Sequence, residues 1–164
     1  MYDFLLADTA RVLPILVVAA VGIAVILLDA FRNDSPSIPW LAGAGLVAAF
    51  VLEGFKLYDP QVAFFGQVYS GGAAAFANMV VLLGALGSVV LSVPYLKRIG
   101  HNYGEVHALI LFATVGMMTL ASAGSLITLF VGLETMSVCL YVLTGLVREE
   151  KGANESALKY FLLG

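Results

Sequence analysis

Charge is scarce in this sequence. Its 164 residues include eight Lys and Arg and eleven Asp and Glu, so only 12% are charged, whereas soluble domains carry about 25%. A chain of this length can bury a sizeable core, but a soluble one would still have to clothe it in polar surface. Nineteen charged side chains cannot do so, and lipid must cover much of the remainder. The formal net charge of −3 and the lack of any basic run give no sign of a nucleic-acid partner. A single cysteine, Cys139, excludes a disulfide within the chain and any CxxC metal or redox pair. It lies in an apolar stretch, where a free thiol acts as a small hydrophobe. No cysteine or histidine set is available to ligate haem or an iron–sulfur cluster, so no cofactor is expected in this chain. The N-terminus also lacks the basic region that opens a secretory signal. Asp3 and Asp8 precede the first apolar run, and Asp29-Ala30-Phe31-Arg32 follows it in place of a small-residue cleavage site. The run is therefore expected to stay as a first membrane span.

What is abundant is hydrocarbon: 61% of residues are hydrophobic, and the mean hydropathy is +0.99. A spanning helix needs about 20 largely apolar residues. Five stretches qualify, near Val12–Leu28, Ile38–Tyr58, Ala73–Leu96, Glu105–Ala121 and Leu126–Val147, and a sixth begins around Ser156. The expected fold is all-α, a polytopic transmembrane helical bundle of five complete spans plus the start of a sixth. Asn33-Asp34-Ser35-Pro36 and Lys97–Gly104 are turn-rich connections. Ser122-Ala123-Gly124-Ser125 is a minimal hairpin that makes the fourth and fifth spans antiparallel neighbours. Asp59–Gly72 is too short and Gly-rich to span; Val62, Phe64, Val68 and Tyr69 suit two short strands or an interfacial hairpin.

Basic residues set the orientation of such a bundle. Arg32, Lys97, Arg98, Arg148 and Lys151 fall on one side, against Arg11 and Lys56 on the other. The first side is expected in the cytoplasm and the N-terminus outside. Gly84 with Ser88, and Ala73 with Ala77, have the small-xxx-small spacing that lets helices approach closely. Pro94 is expected to bend or end the third span.

Five ionisable residues lie in or at the edge of the apolar stretches: Glu53, Lys56, Glu105, Glu134 and Lys159. A charge at the bilayer centre costs about 2.5–3.5 kcal/mol on insertion scales, and edge positions cost far less because long side chains reach water. Glu53 and Lys56, three residues apart near the end of the second span, read as a mutual pair at the outer interface. Glu105 opens the fourth span, where a carboxylate complements the helix dipole; the alternative is a proton-relay acid with His107 close by. His107 alone reads as an interfacial or packed histidine. Lys159, early in the sixth span, has Glu155 four residues before it in the favourable order for an ion pair, or it extends a line of charges from Glu134.

Glu134 differs from the others in depth, with eight residues of its span before it and thirteen after. Its side chain must face protein or a water-filled cavity. Ser137, Tyr141 and Thr144 fall within about 80° of it at 100° per residue, a polar stripe on an apolar helix. Either it is a protonated acid hydrogen-bonded for packing, or it is a carboxyl whose proton affinity is set by desolvation against a nearby cation, able to take up and release protons.

The stretch Leu126–Gly164, LITLFVGLETMSVCLYVLTGLVREEKGANESALKYFLLG, closely resembles the antiporter-like membrane subunits of respiratory complex I, the NADH-quinone oxidoreductase. The GLE-x-MS-x-x-LYVL core and the ALKYF start of the next span are the specific parts, and Glu105 followed by LILFATVGMM-x-x-ASA extends the likeness through the fourth span. Roughly the last 60 residues carry the resemblance at high specificity; the first 100 agree in hydropathy and span order. The family implies a helical fold of about fourteen spans with two inverted repeats, each containing a broken helix. On that resemblance, residues 1–125 are N-terminal membrane helices, and residues 126–164 begin the proton-translocating module.

The resemblance further implies a subunit that moves protons through buried charges, driven by quinone reduction elsewhere in the complex. Its partners would be the other membrane subunits and the lipid bilayer, with no nucleic acid, in a bacterial inner membrane. Glu134 matches the family's acid of the fifth span, which pairs with a lysine of a seventh; Lys159 matches a sixth-span lysine and Glu105 an acid opening the fourth. Thr135 stands where an apolar residue is usual, His107 where an aromatic is common, and the hairpin near Tyr69–Gly72 lacks an aspartate often found there. A sequence stopping at Gly164 is expected to be the opening piece of a longer subunit. Two other readings stay open: a subunit of a multi-subunit Na⁺/H⁺ antiporter or membrane-bound hydrogenase, and a membrane scaffold without an ion path.

Overall fold

Long apolar runs leave the backbone one way to satisfy its polar groups in a bilayer, the hydrogen-bonded helix. The computed structural model describes residues 2–31, 37–98, 104–146 and 151–163. Within them, α1 (Tyr2–Arg11), α2 (Leu13–Phe31), α3 (Ile38–Lys56), α4 (Gly72–Arg98), α5 (Gly104–Ala121), α6 (Leu126–Thr144) and α7 (Lys151–Leu163) follow in order. Two short strands, β1 (Gln61–Ala63) and β2 (Val68–Ser70), lie between α3 and α4. Helices α2 to α6 are the five described helices long and apolar enough to cross a membrane, as expected from the sequence. The expected turn at Asn33–Pro36, Arg32, Arg148 and residues 99–103 of the connection before α5 lie outside the described residues.

Helix α1 was not expected, because its mixed composition escapes a search for 20-residue apolar runs. It does not merge with α2. Pro14 has no N–H to give the carbonyl of Ala10, and the connecting backbone bonds are Val12 N to Asp8 O (3.3 Å) and Leu16 N to Val12 O (3.2 Å). The Lys56 ammonium fills the gap, donating to Ala10 O at 2.8 Å and Arg11 O at 2.7 Å. Ser70 Oγ donates to Arg11 O as well, at 2.9 Å. Of the two outcomes expected for Pro94, it does not end the span: α4 continues through it to Arg98.

The core joins α2, α3, α4 and α5 through Val18, Val25, Leu46, Leu82, Leu111 and Met118. Outside it, Phe55, Leu91, Leu126 and Ile127 are exposed, as lipid-facing residues should be. Helices α5 and α6 make the most intimate pair. A Cβ on Gly116 would stand 2.5 Å from Met136 N and 2.9 Å from Gly132 O, and one on Gly132 would stand 2.7 Å from Leu120 N. Only glycine allows these backbones to approach so closely. Gly84 and Ser88, by contrast, are exposed, with nothing within 4 Å of a Cβ on Gly84; their spacing serves no packing among the described residues.

The strands pair antiparallel with Gln61 opposite Ser70 and Ala63 opposite Val68, confirming the expected hairpin. The hairpin fastens onto the α5–α6 turn: Tyr69 N donates to Ser122 O and Gly124 N to Gln67 O, both at 2.8 Å. At its tip, Phe64 and Phe65 hold positive φ, 51° and 55°. Asp8 accepts from Phe64 N at 2.8 Å and pairs with Arg11, which also donates to Gln61 and to Val62 O. One end of the bundle is thus capped by a polar network built on the hairpin.

Candidate functional site

Glu105 sits in the first turn of α5, exposed, where the dipole reading of the sequence put it. Gly104 just before it lies directly against the side chain of Asp29. His107, two residues further, is buried, and its Nε2 lies 3.2 Å from Ser92 Oγ of α4. That is the packed histidine expected from sequence.

Glu134 lies near the middle of α6 and is exposed. The buried residues of α6 are Thr128, Gly132 and Cys139, which define the face toward α5. Glu134 follows Gly132 by about 200° of helix rotation, so it projects from the opposite, open face. Leu126, Phe130, Val131 and Val138 are exposed on the same helix. Of the predicted polar stripe, Ser137 and Tyr141 are half-buried and Thr144 is exposed. Tyr141 meets α7 edge-on, its ring 5.0 Å from Tyr160 and 5.7 Å from Phe161. The tyrosine is seven residues, about 10 Å of helix axis, from Glu134. Lys159 is exposed and forms the expected i,i+4 ion pair with Glu155, at 2.6 Å. The structure therefore places Glu134 and Lys159 on neighbouring helices, while Glu105 lies at the end of α5 with no contact to either among the described hydrogen bonds and ion pairs.

Glu53 and Lys56 differ from their expected mutual pair. Lys56 is engaged with the carbonyl of Ala10, which Pro14 leaves free, and with that of Arg11 beside it. Glu53, only 4% exposed, accepts instead from Asn78 Nδ2 at 2.9 Å, and the same nitrogen donates to Ser122 Oγ at 3.0 Å. Asn78 and Ser122 are themselves buried. This triad joins α3, α4 and the α5–α6 turn and escaped sequence reasoning. Its one signal was Asn78, a lone amide in an apolar span.

Several known proteins resemble this chain. The family described as NADH:quinone oxidoreductase/Mrp antiporter, TM, matches residues 123–164. NADH-quinone oxidoreductase subunit N of Salinibacter ruber is 53% identical over 99% of this chain and 33% of its own length. Subunit N 1 of Chloroherpeton thalassium is 34% identical over 98% of this chain and 34% of its own. A chain in a solved structure of respiratory complex I from Thermus thermophilus with bound aureothin superposes with a TM-score of 0.75 at 30% identity, over 92% of this chain and 32% of that one. Fold and sequence together define a multi-pass membrane protein of the antiporter-like class. Within that class the chain is similar to the subunit N proteins of NADH-quinone oxidoreductase, and it spans about one third of the length of the relatives it matches.

Proposed function

We propose that this chain forms part of a proton-translocating membrane subunit of NADH-quinone oxidoreductase, with Glu134 as a proton-carrying group. The observation that carries this reading is a mid-helix carboxyl on the open face of α6, inside the segment matched by the antiporter family. A charge so far from a helix end costs about 2.5–3.5 kcal/mol in lipid, which favours a polar partner or a proton over a packing role. Lys159 on α7 is the neighbouring cation, and Glu105 is an acid at the end of α5 from which a proton could enter. In this reading α6 and α7 open the translocating module, the preceding helices are its N-terminal support, and the chain holds no redox centre of its own. Quinone is reduced elsewhere in the complex, and the other membrane subunits are the partners.

The basic residues Lys97 and Arg98 end α4 opposite the hairpin. They support an orientation in a bacterial inner membrane with the hairpin end and N-terminus outside. The test is Glu134→Gln in the assembled complex. NADH-driven proton uptake into inverted membrane vesicles is expected to fall to background, and uptake at the unsubstituted level would refute the role.

A second reading is favoured by the family match itself, whose description includes Mrp antiporters: a subunit of a multi-subunit cation/proton antiporter. Co-purification separates the two. NADH- and quinone-reacting subunits support the first, and an assembly of membrane subunits alone supports the second.

A further inference from the structure

We propose that Glu53 is a second proton-binding site, held as the neutral acid with its O–H given to the amide oxygen of Asn78, and discharging at the hairpin end of the bundle. The inference rests on the proton-translocating reading above and adds a site to it.

Asn78 uses Nδ2 to reach both Glu53 Oε1 (2.9 Å) and Ser122 Oγ (3.0 Å). Its Oδ1 is buried and has no hydrogen-bond partner among the described residues. An orphaned buried acceptor costs about 1–3 kcal/mol. Glu53, 4% exposed, has a neutral amide as its hydrogen-bonding partner, and the described ion pairs give it no cation within 4 Å. A buried carboxylate in that setting is costly as well. One proton removes both deficits. A carboxylic acid is donor and acceptor at once, and a planar amide matches it with two bonds, N–H to one carboxyl oxygen and O–H to the amide oxygen.

The surroundings suit a proton that leaves again. Glu53 is one turn from the end of α3, and Lys56 stands at that end on the same helix face. Beyond Lys56 lie the Asp8–Arg11 pair of α1 and Asp59 of the hairpin, bridged by Gln61. From α4 and the α5–α6 turn the groups meeting Glu53 and its amide partner are Asn78 and Ser122, both uncharged. Among its described residues, α2 brings no ionisable group to this end. Release breaks the Glu53 O–H bond and passes the proton to water at the hairpin surface. The carboxylate left behind keeps the Asn78 N–H and gains the field of Lys56. Uptake from water reverses the step; no other covalent bond changes, and the hydrogen bond to Asn78 Oδ1 is given up on release and made again on uptake.

The test uses the membrane-embedded complex with its full-length subunit. Infrared difference spectra, in H₂O and D₂O, are recorded at rest and during NADH-driven turnover. A protonated-carboxyl C=O band is expected at rest, diminished during turnover and lost in Glu53→Gln. That substitution keeps a neutral side chain able to donate to Asn78 Oδ1, so the complex is expected to assemble. Asn78→Leu provides an independent check: it should shift the band without abolishing it. A spectrum unchanged by Glu53→Gln, a band constant through turnover, or a band indifferent to Asn78→Leu would each overturn the proposal. Glu134→Gln, measured alongside, separates the two ideas. Proton uptake that survives Glu134→Gln defeats the parent reading, whereas uptake that is lost with no Glu53 band defeats only this inference.

Discussion

The closest backbone approach between spans, at Gly116 and Gly132, makes the sharpest mechanical prediction. Replacing Gly116 with alanine puts a methyl 2.5 Å from Met136 N and 2.9 Å from both Gly132 O and Met136 Cα. Carbon contacts rest at about 3.5–4.0 Å, so α5 and α6 must part by about 1 Å. Neither obstacle is a side chain that could swing away. A gap of that size forfeits roughly a quarter to a half of each dispersion contact it opens, and overpacking of this kind costs about 1–3 kcal/mol. The substitution also removes a helical glycine, which returns about 0.5–1 kcal/mol. Gly84→Ala isolates that gain, because nothing lies within 4 Å of a Cβ there. The two variants should therefore differ by about 1–3 kcal/mol, the overpacking cost alone. Thermal unfolding of the purified complex in lipid nanodiscs, and the fraction of the subunit recovered in assembled complex, measure this difference. Equal midpoints and equal recovery for Gly116→Ala and Gly84→Ala would refute the close-approach reasoning.

Lys56→Met should loosen the junction of α1 and α2. It removes the donor for Ala10 O and one of two for Arg11 O; these bonds are exposed or part-buried, so water can replace them and each loss costs about 0.5–1.5 kcal/mol. Faster hydrogen exchange and proteolysis around residues 10–14, with α5 and α6 unaffected, is the expected result. The pair Glu155–Lys159 should contribute little, because both side chains are about two-thirds exposed and such pairs couple by about 0.3–0.5 kcal/mol. A double-mutant cycle of Glu155→Gln and Lys159→Met on complex stability checks that value. A loss of proton uptake in Lys159→Met with stability intact would then point to a role beyond the pair.

Hydropathy made the spans legible, because a bilayer demands long apolar helices, and the turn chemistry of Ser122–Ser125 made α5 and α6 neighbours. Contacts between distant residues were hidden. Glu53 and Lys56 are close in sequence and opposite in charge, which suggested a pair, yet the carbonyls of Ala10 and Arg11 and the amide of Asn78 outcompete it. Those partners lie 45, 46 and 25 residues away, beyond any local pattern. The small-residue spacing misled for a related reason. Gly84 and Ser88 form a motif within one helix but face outward, whereas Gly116 and Gly132 are single glycines on two helices and make contact only once the hairpin folds. For Glu134 the depth was readable and the surroundings were not. Its helix shows α5 only the Thr128–Gly132–Cys139 face, and the opposite face carries the acid among exposed leucine, phenylalanine and valine. An acid at that depth is tolerated against lipid only at the insertion cost already noted. The open face of α6, more than the packed one, is therefore where the chemistry of this chain should be sought.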